Sequence, residues 1–118
     1  MKGIGTDIVQ ISRIKTSYEK QGLRFLTRIL TAQEQEVFNS RYQSMSFLAN
    51  RFAAKEAIAK ALGTGIAKGV TFVDIQILPG VLGEPEVTLS NMALQRLHEL
   101  GANEVKVSLS DEQDYAVA

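Results

Sequence analysis

An α+β fold with a mainly antiparallel sheet and a long central helix is predicted by three observations. Apolar and polar residues alternate in two separated stretches, Gly3 to Ile11 and Val70 to Leu78; a helix-compatible run without a breaker extends from Phe47 to Leu62; and the segments follow the order strand, helices, strands, helix, strands. At 118 residues the chain is expected to form one domain, residues 1–118, with room for a real core but not for two.

In the first strand Ile4, Thr6 and Ile8 fall on one face and Gly5, Asp7 and Val9 on the other. Aspartate is disfavoured inside strands, so Asp7 marks either an exposed face or a carboxylate with a task. Ser12 is a candidate cap for a short helix from Arg13 to about Lys20, with Ile14 and Tyr18 inward and Gly22 as its stop. Leu23 to Leu30 mixes Phe25, Leu26, Ile29 and Leu30 with Arg24 and Arg28, a pattern that suits either core or a basic contact surface. Thr31-Ala32-Gln33-Glu34 has the form of a capping box, which starts a helix reaching about Asn39.

The central helix carries Phe47, Leu48, Phe52, Ala54, Ile58, Ala61 and Leu62, which cover more than half its circumference at about 3.6 residues per turn, with alanines filling most of the rest. Such a helix is mostly buried. Four charges nevertheless ride on it, Arg51 with Lys55 on one line and Glu56 with Lys60 on another. Glu56 and Lys60 have the spacing of an ordinary helix-stabilising pair, whereas charges on a buried helix otherwise require a partner, a metal or a charged ligand. Gly63-Thr64-Gly65 then ends the helix and opens a loop whose backbone donors could face an anion.

Val70 to Leu78 reads as a strand with Val73, Ile75 and Ile77 on one face, and Pro79-Gly80 with Gly83-Glu84-Pro85 punctuate a hairpin that returns to Leu89. Ser90 caps a helix from Asn91 to Leu100, with Leu94, Leu97 and Leu100 inward and Gly101 as the stop. His98, the only histidine, has no second ligand at metal spacing and reads as a surface residue. A last pair of strands is suggested by Val105, Val107 and Leu109 alternating with Lys106, Ser108 and Ser110, then a polar turn from Asp111 to Asp114 and Tyr115–Ala118. That last stretch reads as too short for a central strand, and its pairing partner is expected to be clipped or supplied by another subunit.

A composition of 45% hydrophobic and 22% charged residues is that of a water-soluble globular chain, and no apolar run approaches the roughly 20 residues of a membrane span. No signal-peptide core stands at Met1 to Gly5 and no cysteine is present, so a cytoplasmic protein without disulfides is expected. The net charge of zero hides a division. Residues 1–68 carry 11 basic and 5 acidic side chains, and residues 69–118 carry 2 and 8. Either the basic half meets an acidic partner or the halves neutralise each other.

Three stretches together are similar to the holo-acyl carrier protein synthases, the small phosphopantetheinyl transferases of fatty-acid synthesis. They are Gly3-Ile4-Gly5-Thr6-Asp7-Ile8-Val9 with Arg13, then Arg51-Phe52-Ala53-Ala54-Lys55-Glu56-Ala57 with Lys60 through Ile66, and Val107-Ser108-Leu109-Ser110-Asp111. The resemblance runs along essentially the whole chain. It implies transfer of phosphopantetheine from coenzyme A to a serine hydroxyl of an apo acyl carrier protein, release of adenosine bisphosphate, and a homotrimer with coenzyme A between protomers. No nucleic-acid or membrane partner is expected.

By the same resemblance Asp7 and Glu56 match the carboxylates that hold Mg²⁺, and Lys60 neutralises the pyrophosphate. Glu56 or a water on the metal takes the serine proton. Arg51, Lys55, Gly63, Thr64, Gly65, Lys106, Ser108 and Ser110 are the remaining coenzyme A contacts it implies, some across a subunit boundary. Arg13, Arg24, Phe25 and Arg28 match the carrier-docking surface. This chain departs from the family with Glu84 where the hairpin often has lysine and with Lys106 where histidine is common; it also stops at Ala118, where the family's last strand usually continues for several residues. A non-catalytic coenzyme A or nucleotide-binding module is the rival expectation, and a purely structural trimer with Glu56 and Lys60 paired to each other is a third.

Overall fold

Residues 1–118 are described by a computed structural model. Its central helix, α4 (Met45–Ala61), begins where the Ser44 hydroxyl accepts the backbone N–H of Phe47 at 3.2 Å, about two residues earlier than the sequence reading. Gly63, at φ +83°, ends it. The alanines on α4 allow backbone to lie directly against it. A Cβ placed on Gly3 or Gly5 would collide with the carbonyl oxygens of Ala61 and Ala57 respectively, so only glycine lets the N-terminal segment run along the helix.

That segment leads into β1 (Ile8–Gln10), and the chain turns at once into α1 (Ile11–Gln21) and α2 (Leu23–Ile29). The predicted strand over residues 3 to 11 is therefore shorter, and Asp7 stands just ahead of it. Ser12 lies inside α1 and caps nothing; Gln10 holds the N-cap position without a side-chain bond. The Thr31 capping box forms as predicted and starts α3 (Ala32–Ser40).

After α4, the first part of the predicted Val70–Leu78 strand is instead a 3₁₀ turn, Phe72–Asp74. Asp74 accepts the N–H of Thr71 at 3.0 Å and the Asn91 side-chain amide at 2.9 Å, which turns Phe72 and Asp74 inward and Val73 outward. β2 (Ile75–Pro79) and β3 (Pro85–Leu89) then form the expected antiparallel hairpin, and α5 (Asn91–Glu99) follows. Leu97 is buried on α5 but Leu94 is not, because the helix packs on a narrow line. Ser90 stands at the N-cap position of α5 without a capping bond; its hydroxyl donates to the Asp74 carbonyl instead, at 3.4 Å.

The strand expected from Val105 is reduced to β4 (Ser110–Asp111), because residues 105–109 pair with no neighbouring strand. β4 and β5 (Tyr115–Val117) complete a second antiparallel sheet in the order β1-β5-β4. This corrects the reading of Tyr115–Ala118. Short as it is, β5 is the middle strand, and its partners come from the same chain, with Val9 opposite Ala116. Asp7 and Ala118 extend that ladder through N–H···O bonds of 2.9 and 3.0 Å.

Helix α4 divides the core. Phe38, Phe47, Leu26 and Ile29 pack on one side, and Ile58, Ile75, Ile77 and Leu97 on the other. Between them lies a charged knot with no solvent access. Lys55 Nζ donates to the Ile29 carbonyl and to Glu34 Oε1, both at 2.6 Å, while Glu34 Oε2 accepts the Ile77 N–H at 2.8 Å. One turn earlier Arg51 Nε donates to the Ile77 carbonyl at 3.2 Å, and its guanidinium lies over the Phe47 ring at 4.4 Å. Burial lowers Arg51 to about 10 and pulls Lys55 below its ordinary value, with Glu34 opposing both shifts.

Removing one partner from such a pair strands the other. Lys55→Met is expected to lose about 3–5 kcal/mol of stability in urea unfolding. Glu34→Gln combined with Lys55→Met should lose less than Lys55→Met alone, and the opposite order would mean that the buried carboxylate needs no counter-charge.

Candidate active site

The approach of the N-terminal segment to α4 sets Asp7 beside the outward-facing charges of that helix. An open cleft of about 650 Å³ results, bordered by Asp7, Glu56 and Lys60, with Arg13 from α1 and Arg28 from α2 on its rim. Phe52 and Phe72, stacked at 5.3 Å between centroids, supply an apolar wall, and the Arg28 guanidinium lies 5.8 Å from the Phe72 ring.

Lys60 Nζ donates to Asp7 Oδ1 at 2.9 Å and to the Thr6 carbonyl at 3.0 Å. Its partner is therefore Asp7 and not Glu56, which removes the simple i,i+4 pairing as the account of Glu56. The Glu56 carboxyl is raised above its usual range, first by burial and then by the Asp7 carboxylate, with Lys60 and Arg28 pulling the other way. Two carboxylates thus feel each other in one cleft. Nowhere do three His, Asp or Glu side chains gather. A divalent ion would be held by Asp7 and Glu56 with the rest of its shell from water or phosphate oxygens, the pattern that suits Mg²⁺ and relieves the repulsion between the two.

Other residues singled out in the sequence lie elsewhere. Lys55 is fully enclosed and bonded to Glu34, and Arg51 is almost as deep, so neither reaches this cleft as a phosphate contact; the core knot accounts for both. The Gly63-Thr64-Gly65 donors are also committed. Gly63 N–H donates to Lys60 O at 2.9 Å, and Thr64 and Gly65 N–H both donate to Ala59 O, at 3.3 and 3.0 Å, closing the helix end instead of cradling an anion.

Gly63 and Thr64 border a separate hollow with Lys68 and Arg96. Lys106 and Ser108 line a mostly apolar cavity of about 500 Å³ that shares no residue with the cleft, and Ser110 is exposed on β4. Phe25 is core, at 5% exposure, while Arg13, Arg24 and Arg28 are exposed. Glu84 accepts the Leu82 N–H at 2.9 Å within the hairpin tip.

Sequence reasoning missed Glu34 as the counter-charge of Lys55. The capping box accounted for that glutamate already, and only the demand of a buried lysine for an acid could have pointed to it. Phe52, Ile66 and Phe72 were likewise missed as walls of the cleft, since nothing distinguishes an apolar wall from core before the chain is folded.

The chain belongs to the 4'-phosphopantetheinyl transferase superfamily, whose family model matches residues 3–118. Within it the relatives are holo-[acyl-carrier-protein] synthases. Those of Shewanella amazonensis and Vibrio vulnificus are each 49% identical over 116 residues, covering 98% of this chain and 93% and 92% of theirs. Among solved structures, the holo-[acyl-carrier-protein] synthase of Neisseria meningitidis superposes with a TM-score of 0.89 at 45% identity, covering 99% of this chain and 94% of that one. The Helicobacter pylori enzyme in complex with coenzyme A gives 0.85 at 32% identity, with 97% and 94% coverage.

Because the neutral Glu56 carboxyl is favoured in the folded state, the folded chain binds more protons than the unfolded one between the two midpoints. Stability from this group therefore falls as pH rises through that window. In metal-free protein, Glu56→Gln should melt higher than the parent near pH 7 and converge with it as pH drops toward about 4. A variant that melts lower at neutral pH would contradict the raised carboxyl.

Proposed function

We propose that this chain transfers the phosphopantetheine arm of coenzyme A to a serine hydroxyl of an apo acyl carrier protein, releasing adenosine 3',5'-bisphosphate, with Mg²⁺ held by Asp7 and Glu56. The observation that carries the reading is the meeting of Asp7, Glu56 and Lys60 in one open cleft. Membership of the superfamily supports the reaction, and a relative solved with coenzyme A supports the donor.

When bound, Mg²⁺ would neutralise and align the pyrophosphate. Attack on a phosphoanhydride needs alignment and charge compensation more than a covalent nucleophile, which fits a site with no cysteine and no Ser-His pair. The serine oxygen bonds to the pantetheine-side phosphorus while the bond from that phosphorus to the bridging oxygen breaks, and the electron pair leaves with adenosine bisphosphate. Lys60, released from Asp7, pairs with the phosphate oxygens. Glu56, whose carboxyl borders the same cleft, would take the serine proton.

The exposed Arg13, Arg24 and Arg28 form the docking surface for an acidic carrier protein, with Phe25 as the core residue that supports it. Lys106, Ser108 and Ser110, none of which lines the cleft of its own chain, contact coenzyme A across a subunit boundary in a homotrimer. Residues 1–118 act as one domain. The proposed setting is cytoplasmic; separately, no helix is long and apolar enough to cross a membrane.

Mass spectrometry of an apo carrier protein incubated with coenzyme A, Mg²⁺ and this chain should record a gain of one phosphopantetheine. Tight coenzyme A binding without any gain, across several carriers, would leave a non-catalytic binding module. Asp7→Ala and Glu56→Ala should each lower the rate by at least about 10²-fold with the oligomer intact, and chelation of Mg²⁺ should do the same.

Arg24→Glu and Arg28→Glu are expected to raise KM for the carrier with a smaller effect on KM for coenzyme A, and the difference should shrink as salt is added. Carrier affinity that stays unchanged at low ionic strength would move the docking surface elsewhere.

A further inference from the structure

Helix α4 carries two charged lines with opposite destinations. Glu56 and Lys60 face the cleft, whereas Arg51 and Lys55 turn inward and border no part of it. The inward line has more directional bonds than any other part of the helix surface. Lys55 ties α4 to the Ile29 carbonyl at the end of α2 and to Glu34 on α3, and Glu34 in turn holds the Ile77 N–H of β2. Arg51 holds the Ile77 carbonyl. One residue of β2 is thus gripped through both its polar groups by two consecutive turns of α4, once directly and once through Glu34.

The apolar packing of α4 combines three large buried side chains, Phe47, Leu48 and Ile58, with a greater number of alanines. Ala49, Ala53, Ala54 and Ala59 are completely buried, and Ala57 nearly so, on a helix that is apolar almost all round. Alanine methyls interdigitate little, so contacts of this kind resist rotation and sliding of a helix weakly compared with branched side chains or with hydrogen bonds of fixed direction. Residue 56 follows residue 55 by about 100° of helix rotation, and residue 60 lies roughly a turn beyond 56. Any turning of α4 about its axis would therefore carry Glu56 and Lys60 away from Asp7 together.

We infer that Glu34, Lys55 and Arg51 are positioning residues, a buried polar clamp that fixes the rotation of α4 and so the distance from Glu56 and Lys60 to Asp7. The inference rests on the reading of Asp7 and Glu56 as the pair that holds the metal. Register-setting is the best-attested use of a buried ion pair, whose net effect on stability against apolar replacements is small or unfavourable.

The test compares the parent, Asp7→Ala, Glu34→Gln combined with Lys55→Met, and Leu89→Ala, a core truncation outside both site and clamp. Magnesium binding in the presence of coenzyme A is measured by calorimetry, and kcat and KM by transfer assay. The double variant loses two of the three buried charges of the clamp, leaves Arg51 its bond to the Ile77 carbonyl, and keeps in the introduced glutamine one acceptor for the Ile77 N–H. It should fold, bind Mg²⁺ about 10-fold more weakly, and lose about 10²-fold in kcat with KM for the carrier within roughly twofold, the pattern of a misplaced reacting group.

Magnesium affinity and kcat both within about twofold of the parent would overturn the inference. So would an equal loss of magnesium affinity in Leu89→Ala, because the effect would then be one of general stability. If the double variant does not fold, Glu34→Asp, which keeps the charge but shortens its reach, should move magnesium affinity in the same direction by less; no change would be equally decisive. A parent that binds no Mg²⁺, or Asp7→Ala that binds it normally, sinks the site reading itself and this inference with it. Normal behaviour of those two beside an unchanged double variant sinks this inference alone.

Discussion

The structure depends on the direct approach of two backbones, the N-terminal segment and the turn of α4 from Ala57 to Ala61. Glycines at positions 3 and 5 meet the carbonyls of Ala61 and Ala57, so the segment runs antiparallel to the helix. The two repeats fit each other. Two residues of extended chain advance about 6.6 Å and four residues of helix about 6 Å, so alternate residues of one can face every fourth residue of the other. Any side chain at either glycine would lift the segment off the helix. Asp7 is the next residue of the same parity, and Lys60 reaches both its carboxylate and the preceding carbonyl. The place of Asp7 in the cleft is thus a consequence of close packing made possible by two glycines and a run of alanines.

The second constraint is electrostatic, and it concerns where α4 keeps its charges. A helix buried on nearly all sides must place each ion either at a compensated interior position or at an opening. Lys55 takes the first course with a carboxylate at 2.6 Å, and Lys60 takes the second, half exposed beside Asp7. The two lysines differ by five residues, enough to turn one inward and the other outward on the same helix. Identical residue types on one helix therefore have different physics, and their charges alone could not assign either to a ligand.

That limit explains what the sequence made legible. The central helix, the capping box at Thr31, the hairpin between Ile75 and Leu89 and the α+β class were all readable, because periodicity, caps and turn residues are local signals. So were Asp7 and Glu56 as a pair, through motif resemblance, although nothing in their separation along the chain implied that they share a cleft. The failures lay where local preference met a non-local bond. Phe72–Asp74 alternates like a strand, but Asp74 caps the Thr71 N–H and fixes a 3₁₀ turn. Tyr115–Val117 looked too short for a central strand, yet a short strand suffices when β1 and β4 pair with both its edges. The Gly63–Gly65 donors seemed free for an anion only because their acceptors, Lys60 and Ala59 carbonyls, are a feature of the helix end.

The charge division of the sequence acquires a spatial meaning once α1 and α2 are seen beside the cleft. Arg13 and Arg28 stand on the same rim as Asp7 and Glu56, so cations surround a pair of anions that repel each other. A purely basic cleft would favour any polyanion, and a purely acidic one would exclude a pyrophosphate. The mixed arrangement separates the tasks by depth, with the carboxylate pair inside suited to a divalent ion and the guanidinium groups outside suited to an acidic surface. Because the outer charges are exposed, their contribution falls with added salt, whereas the inner pair is partly shielded from solvent and less sensitive to it. Under the proposed function, encounter with a partner and affinity for a divalent ion would therefore respond differently to ionic strength, although the groups responsible border one cavity.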